Sequence, residues 1–114
     1  MLQLLKLLII IKILKMRKLK NIHPGEILLE EFLIPLGISA YRVSKETDIP
    51  QTRISAIIKG NRRITADTAL RLSKYFGNSA KFWLGLQDDF DIEAENANIK
   101  NELNSIQQFS VNAA

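Results

Sequence analysis

Cysteine is missing from all 114 residues, so neither a disulfide nor a thiolate metal site is available. That absence fits a reducing compartment such as the cytoplasm. Histidine occurs once, at His23. One imidazole cannot make a ligand cluster, and its place beside Pro24 at an expected helix start gives it a structural reading. No nucleophile–base pair, phosphate loop or metal set is present, so the chain does not read as an enzyme and no cofactor is expected. Alternation of period two never persists long enough to argue for a strand. A long apolar run is lacking too. In the first fifteen residues, MLQLLKLLIIIKILK, the lysines at 6, 12 and 15 leave only Leu7 to Ile11 uninterrupted. A membrane span needs roughly 18 nearly uncharged apolar residues. No small-residue cleavage site follows, as a signal peptide would require.

What is present fits one helical domain with tails. Residues 1–15 are almost entirely Leu, Ile and Lys. They read as an extension ahead of a start at Met16, with no place in the domain, although an amphipathic surface helix is the other reading. Residues 16–95 hold the helical pattern. Residues 96–114 are a polar tail rich in Asn, Gln and Ser, expected as weak helix or disordered chain from about Glu95 onward.

Within the central segment the few prolines and glycines mark boundaries. Pro24 opens a first helix with Glu26 in its first turn, and Pro35 and Gly37 end it. Ser39 caps a second, Ala40 to Thr47. Asp48 is the turn residue, Ile49 an apolar plug, and Pro50 opens a third helix, Gln51 to Lys59, which Gly60 stops. Thr65 caps a fourth, Ala66 to Phe76, ended by Gly77. Ser79 caps a fifth. The fold class is therefore all-α, a bundle of five helices.

Charge is distributed unevenly along this bundle. The net charge is +4, yet residues 42–81 carry nine basic and three acidic side chains, a balance of +6. From Phe82 onward there are six acids and one lysine, a balance of −5. A basic centre points to an anionic partner, nucleic acid first. The second and third helices are separated by only three residues, a helix-turn-helix layout. Ser44 is the small residue that close crossing requires. Asp48 stands where glycine is usual, and tolerates positive φ better than most side chains.

If Ile54, Ile57 and Ile58 face inward by the i, i+3, i+4 rule, the other face of the third helix carries Thr52, Ser55, Ala56 and Lys59, with Gln51 and Arg53 in the first turn. The first turn is the part that enters a major groove in this motif. Gln51 suits adenine, Arg53 suits guanine, and Thr52 or Ala56 suits a thymine methyl. Lys59, Arg62 and Arg63 lie at the far end, where phosphates are the expected contacts. Ser39 and Arg42, opening the second helix, complete the candidate DNA-binding set.

Two other features have plainer readings. The acidic stretch DDFDIEAE, residues 88–95, lacks the glycine and ligand ladder of a calcium loop. It reads as a solvated acidic helix end able to attract a basic protein. Trp83, Leu86 and Phe90 form an apolar stripe at i, i+3, i+7. It reads as core or as the interface of a homodimer, and the interface is the expectation.

Residues 21–94 resemble the HigA-type antitoxins, within the XRE group of lambda-repressor-like helix-turn-helix regulators. The stretches that carry the resemblance are NIHPGEILLEEFLIPLGIS, PQTRISAIIKGNRRITADTALRLSKYFG and SAKFWLGLQDDFDI. The resemblance implies a dimer that binds a palindromic double-stranded operator and represses its own operon. It implies a cognate toxin protein, typically an RNA-cutting enzyme, that the antitoxin masks. It also implies DNA contacts at Gln51, Thr52, Arg53, Ser55, Ala56 and Lys59. Many relatives carry a bulkier or more polar residue where Ala56 stands. Residues 1–15 and the tail after Ala94 lie outside the resemblance. A stand-alone repressor with no toxin is the alternative reading.

Overall fold

The structure, a computed structural model, describes residues 2–111, without the side chains of Leu2 and of residues 14–19. Among them are seven helices and no strand. Helix α1 spans Leu2–Leu19. Three consecutive stretches, Pro24–Ile27, Leu28–Leu33 and Ile34–Leu36, run on as one helix, α2. The helix-turn-helix pair is α3 (Ala40–Thr47) and α4 (Gln51–Ile58). Then come α5 (Ala66–Phe76), α6 (Ala80–Asn98) and the short α7 (Lys100–Asn104). The five helices expected from the sequence are α2 to α6. None of the described helices is long and apolar enough to cross a membrane.

The boundaries follow local chemistry. His23 and Pro24 open α2, with the Gly25 N–H donating to His23 Nδ1 at 2.9 Å. The middle of α2 is widened to π geometry over Leu28–Leu33. Pro35 follows directly. Its ring crowds the carbonyl four residues back, and a widened turn is one known way for a helix to absorb such a residue. The helix therefore continues through Pro35 and ends at Gly37, φ 65°. There Ile38 N–H reaches Leu33 O and Gly37 N–H reaches Ile34 O, the paired bonds of a left-handed stop. Ser39 and Ser79 cap α3 and α6 through their hydroxyls. Thr65 holds the capping position of α5, but its hydroxyl makes no capping hydrogen bond.

A single apolar core joins these helices. Ile27, Leu28 and Leu33 of α2 meet Val43, Ile54, Ile57, Leu72 and Trp83, with Ile49 and Ile64 entering from the connecting loops. Phe32 packs its ring against Phe76, Phe82 and Trp83. The tail expectation shifts by a few residues: α6 continues past Glu95 to Asn98, and α7 follows. Beyond it Ile106, Phe109 and Val111 are exposed.

Helix α1 differs from its reading as a segment outside the domain. Ile13 is buried and Ile9 packs on the core cluster. Lys12 Nζ lies 3.2 Å from the buried carboxylate of Glu31, and Lys6 Nζ donates to Gly77 O at 2.9 Å. The spacing 6, 9, 12, 13 puts those four side chains on one face. Lysines and isoleucines share that face. Leu4, Leu5, Leu7, Leu8, Ile10 and Ile11 of the same helix are exposed.

Candidate nucleic-acid interface

One backbone conformation and two hydrogen bonds fix the angle between α3 and α4. The turn residue Asp48 is left-handed, φ 58°, as its position demanded. Ser44 Oγ donates to the carbonyl of Ile49 at 2.5 Å, so the small residue in α3 is also a hydrogen-bond donor to the turn. Arg71, from α5, donates through Nη1 to Thr47 O at 3.0 Å and satisfies a carbonyl at the end of α3. Helix α4 then buries Ile54 and Ile57 completely, with Ile58 partly buried beside them. It closes at Gly60, φ 78°, where Asn61 N–H bonds Ala56 O and Gly60 N–H bonds Ile57 O.

That inward anchoring presents the other face. Gln51, Thr52 and Lys59 are exposed, and Ser55 and Ala56 are half-buried between them. Arg62 is exposed in the loop after α4. These six side chains lie together along one helix and the loop that follows it.

The remaining candidates are already engaged. Arg53 Nη1 lies 2.7 Å from Asp67 Oδ2, and its side chain is only 24% exposed. Asp67 also accepts from Arg71 Nε, at 3.2 Å to each oxygen. The two guanidinium groups, Arg71 first, hold the Asp67 carboxyl below the usual carboxylate range. Arg63 Nη2 is 3.0 Å from Asp91 of α6. Arg42 Nε is 2.9 Å from Glu46 Oε1. The hydroxyl of Tyr75 donates to that same carboxylate, and these two bonds lower the pKa of Glu46. Ser39 is exposed, but its Oγ accepts from Arg42 N–H as the α3 cap.

The stripe expected at a dimer interface is corrected in part. Trp83 is fully buried within the single chain, its indole N–H bonded to Asn78 Oδ1 at 2.9 Å, and Leu86 is buried with it. Both belong to the core, because α2 and α5 already cover that face of α6. Of the three, Phe90 alone is partly exposed, packed edge-on against the ring of His23.

Several residues that position the site have no mark in the sequence. Gly25 lies where a side chain would collide with α4. Gln87, almost fully buried, accepts through Oε1 from Ile64 N–H at 2.7 Å and ties the loop after α4 to α6. Asp67 and Arg71 act across the helices and are separated from their partners by 14 and 24 residues.

A helix-turn-helix family model matches residues 29–83. Virulence-associated protein I of Dichelobacter nodosus is 50% identical over 72 residues, 63% of this chain and 67% of that protein. A solved addiction module antidote protein of the HigA family, from Coxiella burnetii, is 43% identical. The match covers 79% of this chain and 99% of that one, with a TM-score of 0.74. The chain belongs to the HigA family. HigA of Pseudomonas aeruginosa, solved with the higBA promoter, is 33% identical; that match covers 80% of this chain and all of the other, with a TM-score of 0.76. The helix-turn-helix match runs from Leu29, early in α2, to Trp83 in α6.

Proposed function

We propose that this HigA-family chain is a sequence-specific DNA-binding antitoxin of the cytoplasm. It lays α4 in the major groove of a palindromic operator and represses its own operon. The observation that carries this is the exposed set on α4: Gln51 and Thr52 in the first turn, Lys59 and Arg62 at the far end. A helix docked by its first turn brings amide and hydroxyl groups to base edges and leaves distal cations for phosphates. The P. aeruginosa relative solved with promoter DNA supports operator binding.

The chain acts as a homodimer, since a palindrome is read by two copies related by a twofold axis. Its second partner is an RNA-cutting toxin, as the family relationship suggests, and the exposed acids of α6, among them Asp88, Glu93 and Glu95, suit a basic protein surface. Co-expression with the product of the neighbouring gene tests this. Co-purification of a small protein that is toxic when expressed alone supports the antitoxin reading. Operator binding with no such protein leaves a stand-alone repressor, a reading favoured by curated relatives named as transcriptional regulators, such as the Escherichia coli protein that is 38% identical.

A further inference from the structure

Arg53 stands in the first turn of α4, where a free guanidinium would be expected to read guanine. Its geometry is wrong for that task. Arg53 Nε is buried and has no hydrogen-bond partner. Bidentate reading along the Nε edge is therefore closed. Nη1 is committed to Asp67 at 2.7 Å. To swing into a groove, Arg53 would have to leave a short charge-assisted bond and give up one of the cations that neutralise Asp67 beside a polyanion. Its neighbours Gln51 and Thr52 face no such cost, being exposed on the surface of α4.

The same carboxylate does more than hold Arg53. Asp67 accepts from Arg71, and Arg71 continues to Thr47 O at 3.0 Å. One chain of contacts thus runs from α4 through α5 to the end of α3. It spans both helices of the helix-turn-helix from behind. Rotation of α4 about its axis would stretch it, because Arg53 is the α4 end of the chain.

We infer that Arg53 and Asp67 are positioning residues for operator recognition: together with Arg71 they set the face that α4 presents, and base reading falls to Gln51 and Thr52. This rests on the operator-binding reading above. A positioned helix and a direct reader respond differently to substitution. Losing a reader relaxes preference at one base pair. Losing a positioning pair blunts preference at every position, and the two partners fail together rather than additively.

The test uses the full chain and the duplex from upstream of its own reading frame, with a set of duplexes each altered at one base pair. Binding is measured for the unaltered chain, Arg53→Gln, Asp67→Asn, the double variant and Gln51→Ala. Arg53→Gln keeps part of the packed stem, Asp67→Asn keeps the shape, and thermal melts confirm that each folds. Arg53→Ala and Asp67→Ala serve as second variants if either fails to fold.

The expected result is a loss of about 5–30-fold on the native duplex for either single variant. The loss is spread over all positions, the double variant is within about 2-fold of the worse single, and the double variant's salt slope is unchanged because the pair it removes carries no net charge. Gln51→Ala instead relaxes one position. The inference is overturned if Arg53→Gln relaxes a single position while Asp67→Asn relaxes none. If the unaltered chain shows no preference among duplexes, the operator-binding reading itself fails.

Discussion

Gly25 and Ile57 touch backbone to backbone. A Cβ added to Gly25 would fall 1.7 Å from the carbonyl oxygen of Ile57, inside any permissible contact. The first turn of α2 therefore rests directly on the last turn of α4, and only a residue without a side chain allows it. This contact seats the groove-facing helix against the rest of the bundle. Gly25→Ala must push the two helices apart. A loss of about 1–3 kcal/mol or more is expected, the range for overpacked contacts. Chemical denaturation reads it directly, and a variant as stable as the original would mean that α2 and α4 do not pack this closely.

Gln87 provides a second brace. Its amide oxygen is the acceptor for Ile64 N–H, in a buried setting. Gln87→Leu keeps the volume and orphans that N–H. About 1–3 kcal/mol of stability should be lost, the cost of a buried unsatisfied donor. Hydrogen exchange at Ile64 should quicken by more than at Leu72. Equal protection in both proteins would show that another acceptor serves the loop.

His23 gives the α2 cap a pH dependence. Burial pushes its pKa below the ordinary value of 6.5, with Asp91 and then Glu26 pulling the other way. The neutral ring is the folded form, because Nδ1 accepts from Gly25 N–H. The cap's contribution is therefore fully present above the ordinary value. It is lost as pH falls from there through the lowered folded value. Urea midpoints between pH 7.5 and 5.5 should fall for the original chain and stay flatter for His23→Asn, whose capping oxygen does not titrate. Parallel falls would assign the effect to other groups.

Much of the helix-turn-helix was legible because its signals are local. Ser39, Asp48, Gly60 and Gly77 sit at positions whose backbone geometry selects those residue types, and the structure has each at a cap or in the left-handed region. The i, i+3, i+4 isoleucines of α4 likewise point to one face only. Contacts between distant residues were not legible. Nothing near Arg53 announces Asp67, and nothing near Gly25 announces Ile57. The stripe of Trp83 and Leu86 specified an apolar face of α6 but not whether a second chain or α2 and α5 would cover it.

Helix α1 shows the same gap. Its composition suggested a segment without a place in the domain, yet Ile13 is buried and Lys12 meets Glu31. Removing residues 1–15 should uncover that patch and leave Glu31 without Lys12. A loss above about 0.5 kcal/mol is expected, beyond the usual range for surface changes. Ile13→Ala in the full chain should reproduce most of it. If the shortened chain melts at the same temperature, α1 contributes nothing to the fold.

The central claim is that α4 reads bases with its first turn and meets phosphates at its far end. The most direct measurement is a binding titration of Gln51→Ala and Arg62→Ala on the native upstream duplex and a scrambled one, at several salt concentrations. Gln51→Ala should lose about 1–3 kcal/mol on the native duplex alone, with its salt slope unchanged. Arg62→Ala should weaken both duplexes alike and lower the slope by about 0.9 for the lost phosphate contact. The opposite pattern, with Gln51→Ala changing only the salt slope and Arg62→Ala changing sequence preference, would contradict this placement of α4.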